Sequence, residues 1–212
     1  VDAFDLPKLV ADPTYKYVEI ILAAAERQKD IIIYRAALDG ALTRTIEGGS
    51  VTTTTLPAAQ QIAAGGTGLS KAKVIQAKSL FRKNKADGRY EPGTKLYIAY
   101  NSDSVRQILS DTTLTSADFM ASKFLEQGEV GNWCGFEWIP YEELDVPAAN
   151  TARTVAWTST AIHFGTGIGV KTSVDENKSK RGHPVEAYGV LSLGAVRQDE
   201  KKVVQIDFAT NV

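Results

Sequence analysis

The chain has 212 residues, 43% of them hydrophobic and 23% charged, the balance of a soluble globular protein with one large domain or two small ones. Twenty-four Lys plus Arg against twenty-five Asp plus Glu leave a net charge of -1, which argues against a protein built to grip nucleic-acid phosphates. A single cysteine, Cys134, excludes an internal disulfide and fits a reducing cytoplasm, and no apolar run approaches the roughly 20 residues that a bilayer-crossing helix needs.

Asp12-Pro13 reads as a helix start, because Asp caps free amides and Pro suits the first turn. Val18, Ile21, Leu22, Ala25, Ile32 and Ala36 then form an apolar stripe that loses phase at Gln28 and Lys29, and Gly40 is the stop. Unbroken, such a helix runs about 27 residues, or roughly 40 Å, and needs something long to lie on. Residues 45–55, with Gly48-Gly49 and four threonines, read as a linker and an extended piece.

Ser70 is placed to cap a second helix through Asn84, with Val74, Ile75, Ala77, Leu80 and Phe81 toward a core, and Asp87-Gly88 makes a turn. The basic stretch at 78–85 reads as a solvated end of that helix. Residues 96–100 are apolar on both faces, as in a central strand. Short helices are expected over 103–109 and 117–126, strands over 135–141 and 154–158, and a short helix after Ser159. This alternation predicts a compact α/β unit. From Ile168 the pattern switches to a two-residue period through Val174, and less cleanly over 185–196. A polar turn at 199–201 leads to 203–208, which is expected to complete a hairpin in a separate antiparallel sheet that carries the first helix.

The search for chemistry finds little. His163 sits among aliphatic and aromatic neighbours and reads as a packed core histidine, and His183, between Gly182 and Pro184, as a solvated turn residue. Neither has metal-ligand spacing, Cys134 with His163 is a pairing any chain offers, and no serine carries the flanking glycines of a nucleophile elbow. Gly65, Gly66 and Gly68 before Ser70-Lys71 suggest a phosphate loop, but Ser70 precedes the lysine and residues 58–64 look helical or irregular, not like a strand. The carboxylates Glu142, Glu143, Asp145, Asp175 and Glu176 read as solvated turns. Trp133, Phe136, Trp138 and Tyr141 lack a basic surround and are expected in a core or a subunit contact. No catalytic residue, metal or cofactor is expected.

Four ordered stretches resemble one family: LPAAQQIAAGGTGL at 56–69 followed by AKVIQAK at 72–78, SDTTLTSADF at 110–119, Gly135-Phe136 leading into a strand, and SLGAVRQDEKKVVQI at 192–206. They are similar to major capsid proteins of tailed bacteriophages with the Hong Kong ninety-seven fold, over nearly the whole chain. The resemblance implies an α+β subunit with a long spine helix, a peripheral antiparallel sheet and an inserted α/β axial domain. It assigns 1–52 and 166–212 to the peripheral domain and 53–165 to the axial one. The N-terminal arm and extended loop usual in the family are not seen ahead of Asp12.

The implied function is a structural subunit of an icosahedral capsid that assembles in the host bacterial cytoplasm. Its partners are copies of itself in hexamers and pentamers, with scaffold, portal or decoration proteins as further candidates. DNA is met by weak non-specific contact, and no membrane is involved. The loop 128–135, through Gly131, Asn132 and Trp133, is the candidate capsomer contact. The alternatives are an encapsulin-like nanocompartment shell and, from another class, a small α/β ligand-binding enzyme using the glycine loop.

Overall fold

In the computed structural model, which describes residues 14–43, 50–110, 131–181 and 183–211, the first element is one unbroken helix, α1 (Thr14–Leu38). Val18, Ile21, Ala25, Lys29, Ile32 and Ala36 turn inward at the spacing of a single helix face, and after Lys29 burial widens to take in Ile31, Ile33, Tyr34, Ala37 and Leu38. The expected break in phase is therefore Lys29, which occupies the stripe with a side chain 30% exposed. Leu22 falls off the stripe and is exposed. Asp12 and Pro13 lie outside the described residues, as do the expected helix at 117–126 and most of the linker before β2.

Contacts divide the chain into two units, one holding α1 as far as Ile33 with Phe164–Ala195, the other holding Tyr34–His163 and the chain from Val196. In the first, β9 (Ile162–Glu176) and β10 (Val185–Arg197) form a two-stranded ribbon. Gly165, Gly167 and Gly189 face Gly194, Ser192 and Lys171 across it, so the strands run antiparallel. The helix meets the ribbon at Gly189. A Cβ there would come within 2.6 Å of Ile21 Cγ2, so the missing side chain is what admits the helix.

The second unit is built on a mixed seven-stranded sheet. Its order is β3 (Gln61–Ile62), β11 (Val203–Ala209), β8 (Thr151–Thr158), β4 (Leu96–Tyr100), β6 (Phe136–Pro140) and β5 (Asn132–Trp133), with β7 (Asp145–Ala148) also on β8. In β11, Val203, Val204, Gln205 and Ile206 are all buried in succession, the mark of a strand covered on both faces. Helix α2 (Lys71–Lys83) lays Val74, Ala77 and Phe81 into this core, with the Phe81 ring 6.0 Å from that of Phe136. Ile75, expected inside, points away and is 48% exposed. Helix α3 (Ser102–Ser110) buries Ser104, Gln107 and Ile108.

The last turn of α1 is fastened into this second unit. Tyr34 donates its hydroxyl hydrogen to the Arg153 carbonyl at 2.7 Å and accepts from the Asp145 amide at 2.9 Å. Arg35 pairs with Asp145 at 3.0 Å. Buried Arg197 donates to the carbonyls of Ala37 and Asp39 at 2.8 Å each, where the helix leaves carbonyls without partners. It also donates to Thr54 O at 2.9 Å, in the short ribbon of β1 (Ala41–Thr43) and β2 (Thr52–Thr54).

Several expectations are corrected. β11 does not complete a hairpin with β10; it pairs antiparallel with β8 from Val203↔Trp157 to Ala209↔Thr151, and parallel with β3. By contacts, residues 196–211 and the end of α1 group with the second unit. No helix follows Ser159: the chain turns through a hydrogen bond from Ala161 N to Thr158 O straight into β9. Residues 58–62 are a 3₁₀ turn and the two-residue strand β3, so a strand does precede the glycine loop. His163 is exposed in β9 and not packed in a core, because the outward side of the ribbon is uncovered there.

Candidate assembly surface

The expected contact loop ends in a two-residue hairpin between β5 and β6. Cys134 and Gly135 both have positive φ, 56° and 75°, the backbone of a primed turn whose twist matches its strands. Gly135 suits this conformation, whereas Cys134 holds it as a non-glycine residue. The turn sets Trp133 opposite Phe136, and the Trp133 ring stacks on Trp138 with centroids 5.7 Å apart. The Trp138 indole donates to Trp133 O at 3.2 Å, and its backbone amide to Gly131 O at 3.1 Å.

Phe136 and Trp138 are core residues, Trp133 is half-buried against them, and Gly131 and Asn132 are exposed. Among the described residues β5 ends the sheet order, so Asn132 and Trp133 lie on an edge strand with Gly131 just ahead of it. The rest of the loop, 128–130, lies outside the described residues. Burial pushes the Cys134 thiol up, the opposite of what a nucleophile needs.

The glycine loop holds itself and is not open to a phosphate. Buried Lys73 donates to the carbonyls of Ala64 at 2.8 Å, Thr67 at 2.9 Å and Asp207 at 3.0 Å, so all three of its donors are used. The Leu69 amide donates to Gln107 Oε1 at 2.7 Å, and Thr67 N to Ala64 O at 3.0 Å. A Cβ at Gly68 would meet the Gln107 amide at 2.7 Å, so the glycine serves packing. The sequence gives no hint of Lys73, one lysine among several on α2. His183 is the exposed turn residue expected, with φ 42°. Among the described residues no group of His, Cys, Asp or Glu is arranged to hold a metal, and no helix is long and apolar enough to cross a membrane.

Among the described residues, large apolar side chains stand exposed on both units, Val146, Tyr90 and Val51 among them on the second. On the first, Tyr15 is 79% exposed, Ile20 59% and Tyr188 62%, and Tyr17, Leu22 and Ile168 are also open to solvent. Along β9 only Val170 and Val174 of the expected alternating set are half-buried. A two-stranded ribbon with so few buried side chains among the described residues is marginal by itself.

The model of a family described as phage capsid protein matches residues 1–210. The chain belongs to the phage capsid protein family. No curated protein matches it significantly. Its fold is that of solved capsid structures. A Mycobacterium phage Che8 structure superposes with a TM-score of 0.66 at 17% identity, over 97% of this chain and 67% of the other. The capsid of cyanophage P-SCSP1u gives 0.65 at 13% identity, over 99% and 70%. The SrpI encapsulin complex of Synechococcus elongatus PCC 7942 is also similar, at 0.55 and 8% identity, over 100% and 72%. This capsid protein therefore has the α+β Hong Kong ninety-seven type fold, with its long helix, and is a structural subunit of a virion shell made of many copies.

Proposed function

We propose that this is the major capsid protein of a tailed phage, whose copies join into hexamers and pentamers and close an icosahedral shell around the DNA genome in the host bacterial cytoplasm. The observation that carries this reading is the apolar surface that the described residues of the first unit leave open. The helix and ribbon expose Tyr15, Ile20 and Tyr188, and a shell of repeated contacts supplies the missing cover. Function is mechanical, with no catalytic step and no cofactor. The first unit acts as the peripheral girder and the seven-stranded unit as the axial lobe. Gly131, Asn132 and Trp133 contribute to axial contacts from the edge of that lobe. Scaffold, portal and decoration proteins act as partners, and DNA is met only weakly and without sequence preference, as the near-neutral charge suits.

Electron microscopy of the expressed full-length gene product tests the reading: closed shells are expected, and a protein that stays monomeric at high concentration refutes it. Trp133→Ala tests the axial contact, which is discarded if capsomers form with unchanged yield and contacts.

A further inference from the structure

Resting on the capsid reading, the geometry points to a specific contact between neighbouring copies: a basic cleft on the seven-stranded unit receives the acidic corner around Glu143 of the adjacent subunit. The cleft, about 520 Å³, lies between α2, the turn after it and the β5–β6 hairpin. Among the described residues Lys78, Arg82, Arg89 and Lys95 line it against Asp87 and Glu137, four cations facing two anions, an excess of two positive charges. Arg82 is engaged by Asp87 at 3.2 Å and Lys95 by Glu137 at 3.7 Å. Among the described residues neither Lys78 nor Arg89 makes an ion pair, although Lys78 feels the charge of Asp87.

Lys78 is the informative one. Its ammonium sits half-buried over the Phe136 ring, 5.5 Å from the centroid, and a Cβ at Gly135 would lie 3.1 Å from its Nζ. The positive-φ glycine of the hairpin thus leaves the space that brings this charge into the cleft. Burial lowers its pKa, and an incoming anion offsets that desolvation of the ammonium.

The matching anion is on the same unit. Glu143 is exposed and unpartnered among the described residues, while its neighbours Glu142 and Asp145 are occupied by Ser102 and Arg35. Gly135 at the cleft and Tyr141 at the acidic corner flank opposite ends of β6. A five-residue strand separates two complementary patches by roughly 17 Å, and two different patches on one subunit are the requirement for a head-to-tail ring.

The test is charge exchange in the full chain, with shell yield read by sedimentation and electron microscopy. Arg89→Glu alters an exposed side chain, so folding is not at stake, and thermal melting by circular dichroism checks this for it and for Lys78→Glu. Either variant, and Glu143→Lys, is expected to cut yield by about tenfold through like-charge contacts repeated around the shell, and pairing R89E with E143K to restore most of it. If the single variants assemble normally, or if they fail and E143K does not rescue R89E, the contact is refuted. The second outcome, with reduced DNA content in the remaining particles, would assign the cleft to phosphates. In each of these cases wild-type shells show that the capsid reading survives; if the wild type forms none, that reading falls instead.

Discussion

Arg197→Met is expected to destabilise the seven-stranded unit severely. The side chain is fully buried and donates three hydrogen bonds of 2.8 to 2.9 Å to carbonyls at the end of α1 and in β2. Methionine fills similar volume but leaves those carbonyls buried without a donor. Each such loss costs about 1–3 kcal/mol, offset in part by no longer burying a guanidinium whose Nε makes no hydrogen bond and only a 3.9 Å ion pair with Glu200, so the net is about 3–5 kcal/mol. At this chain length that lowers the melting temperature by about 6–20 °C. Equilibrium urea unfolding of unassembled subunits, followed by the fluorescence of the three tryptophans, measures it. Arg197→Lys keeps the charge but not the forked donors and is expected to recover no more than about half. A loss below about 1 kcal/mol for R197M would falsify the idea that this side chain fastens the helix end.

Tyr34→Phe removes a hydroxyl that both donates to Arg153 O and accepts from Asp145 N, and a loss of about 1–3 kcal/mol is expected in the same assay. Lys73→Met strips three carbonyls of their donor, with an expected cost of about 2–4 kcal/mol and faster proteolysis at the glycine loop. Unchanged cleavage there shows that the loop does not depend on Lys73. Glu91 is held below its ordinary 4.5, chiefly by the hydrogen bond from Lys202. A depressed carboxylate stabilises the fold above its unfolded value and loses that contribution as pH falls through its folded value. Stability should therefore drop as pH falls below about 4.5, and Glu91→Gln should flatten that part of the profile. An identical acid limb in the variant sinks the assignment.

The elements were legible in the sequence where period and punctuation are local. The stripe of α1, the Ser70 start of α2 and the doubly apolar β4 all stand close to where the residues put them. What the sequence did not disclose are long-range choices. Val203 to Phe208 reads as a strand in any register, and nothing local says that it leaves β10 to lie between β3 and β8. The same blindness covers Arg197 and Lys73, charges that look solvated until backbone carbonyls from distant segments close around them. His163 failed in the other direction: aliphatic neighbours imply burial only when another layer covers the strand. The aromatic cluster at 133–138 was visible, but the cleft beside it is not, because its cations come from α2, the following turn and the residue just ahead of β4.

The place of β11 has a consequence for the order of events on the ribosome. β8 emerges first with one long flank unpaired, and both arms of the ribbon must be synthesised before β11 arrives to cover it. The lobe is therefore the last part to become complete, although most of it is translated early. A nascent chain lacks a finished seven-stranded sheet until β11 is made, however early its other strands were translated.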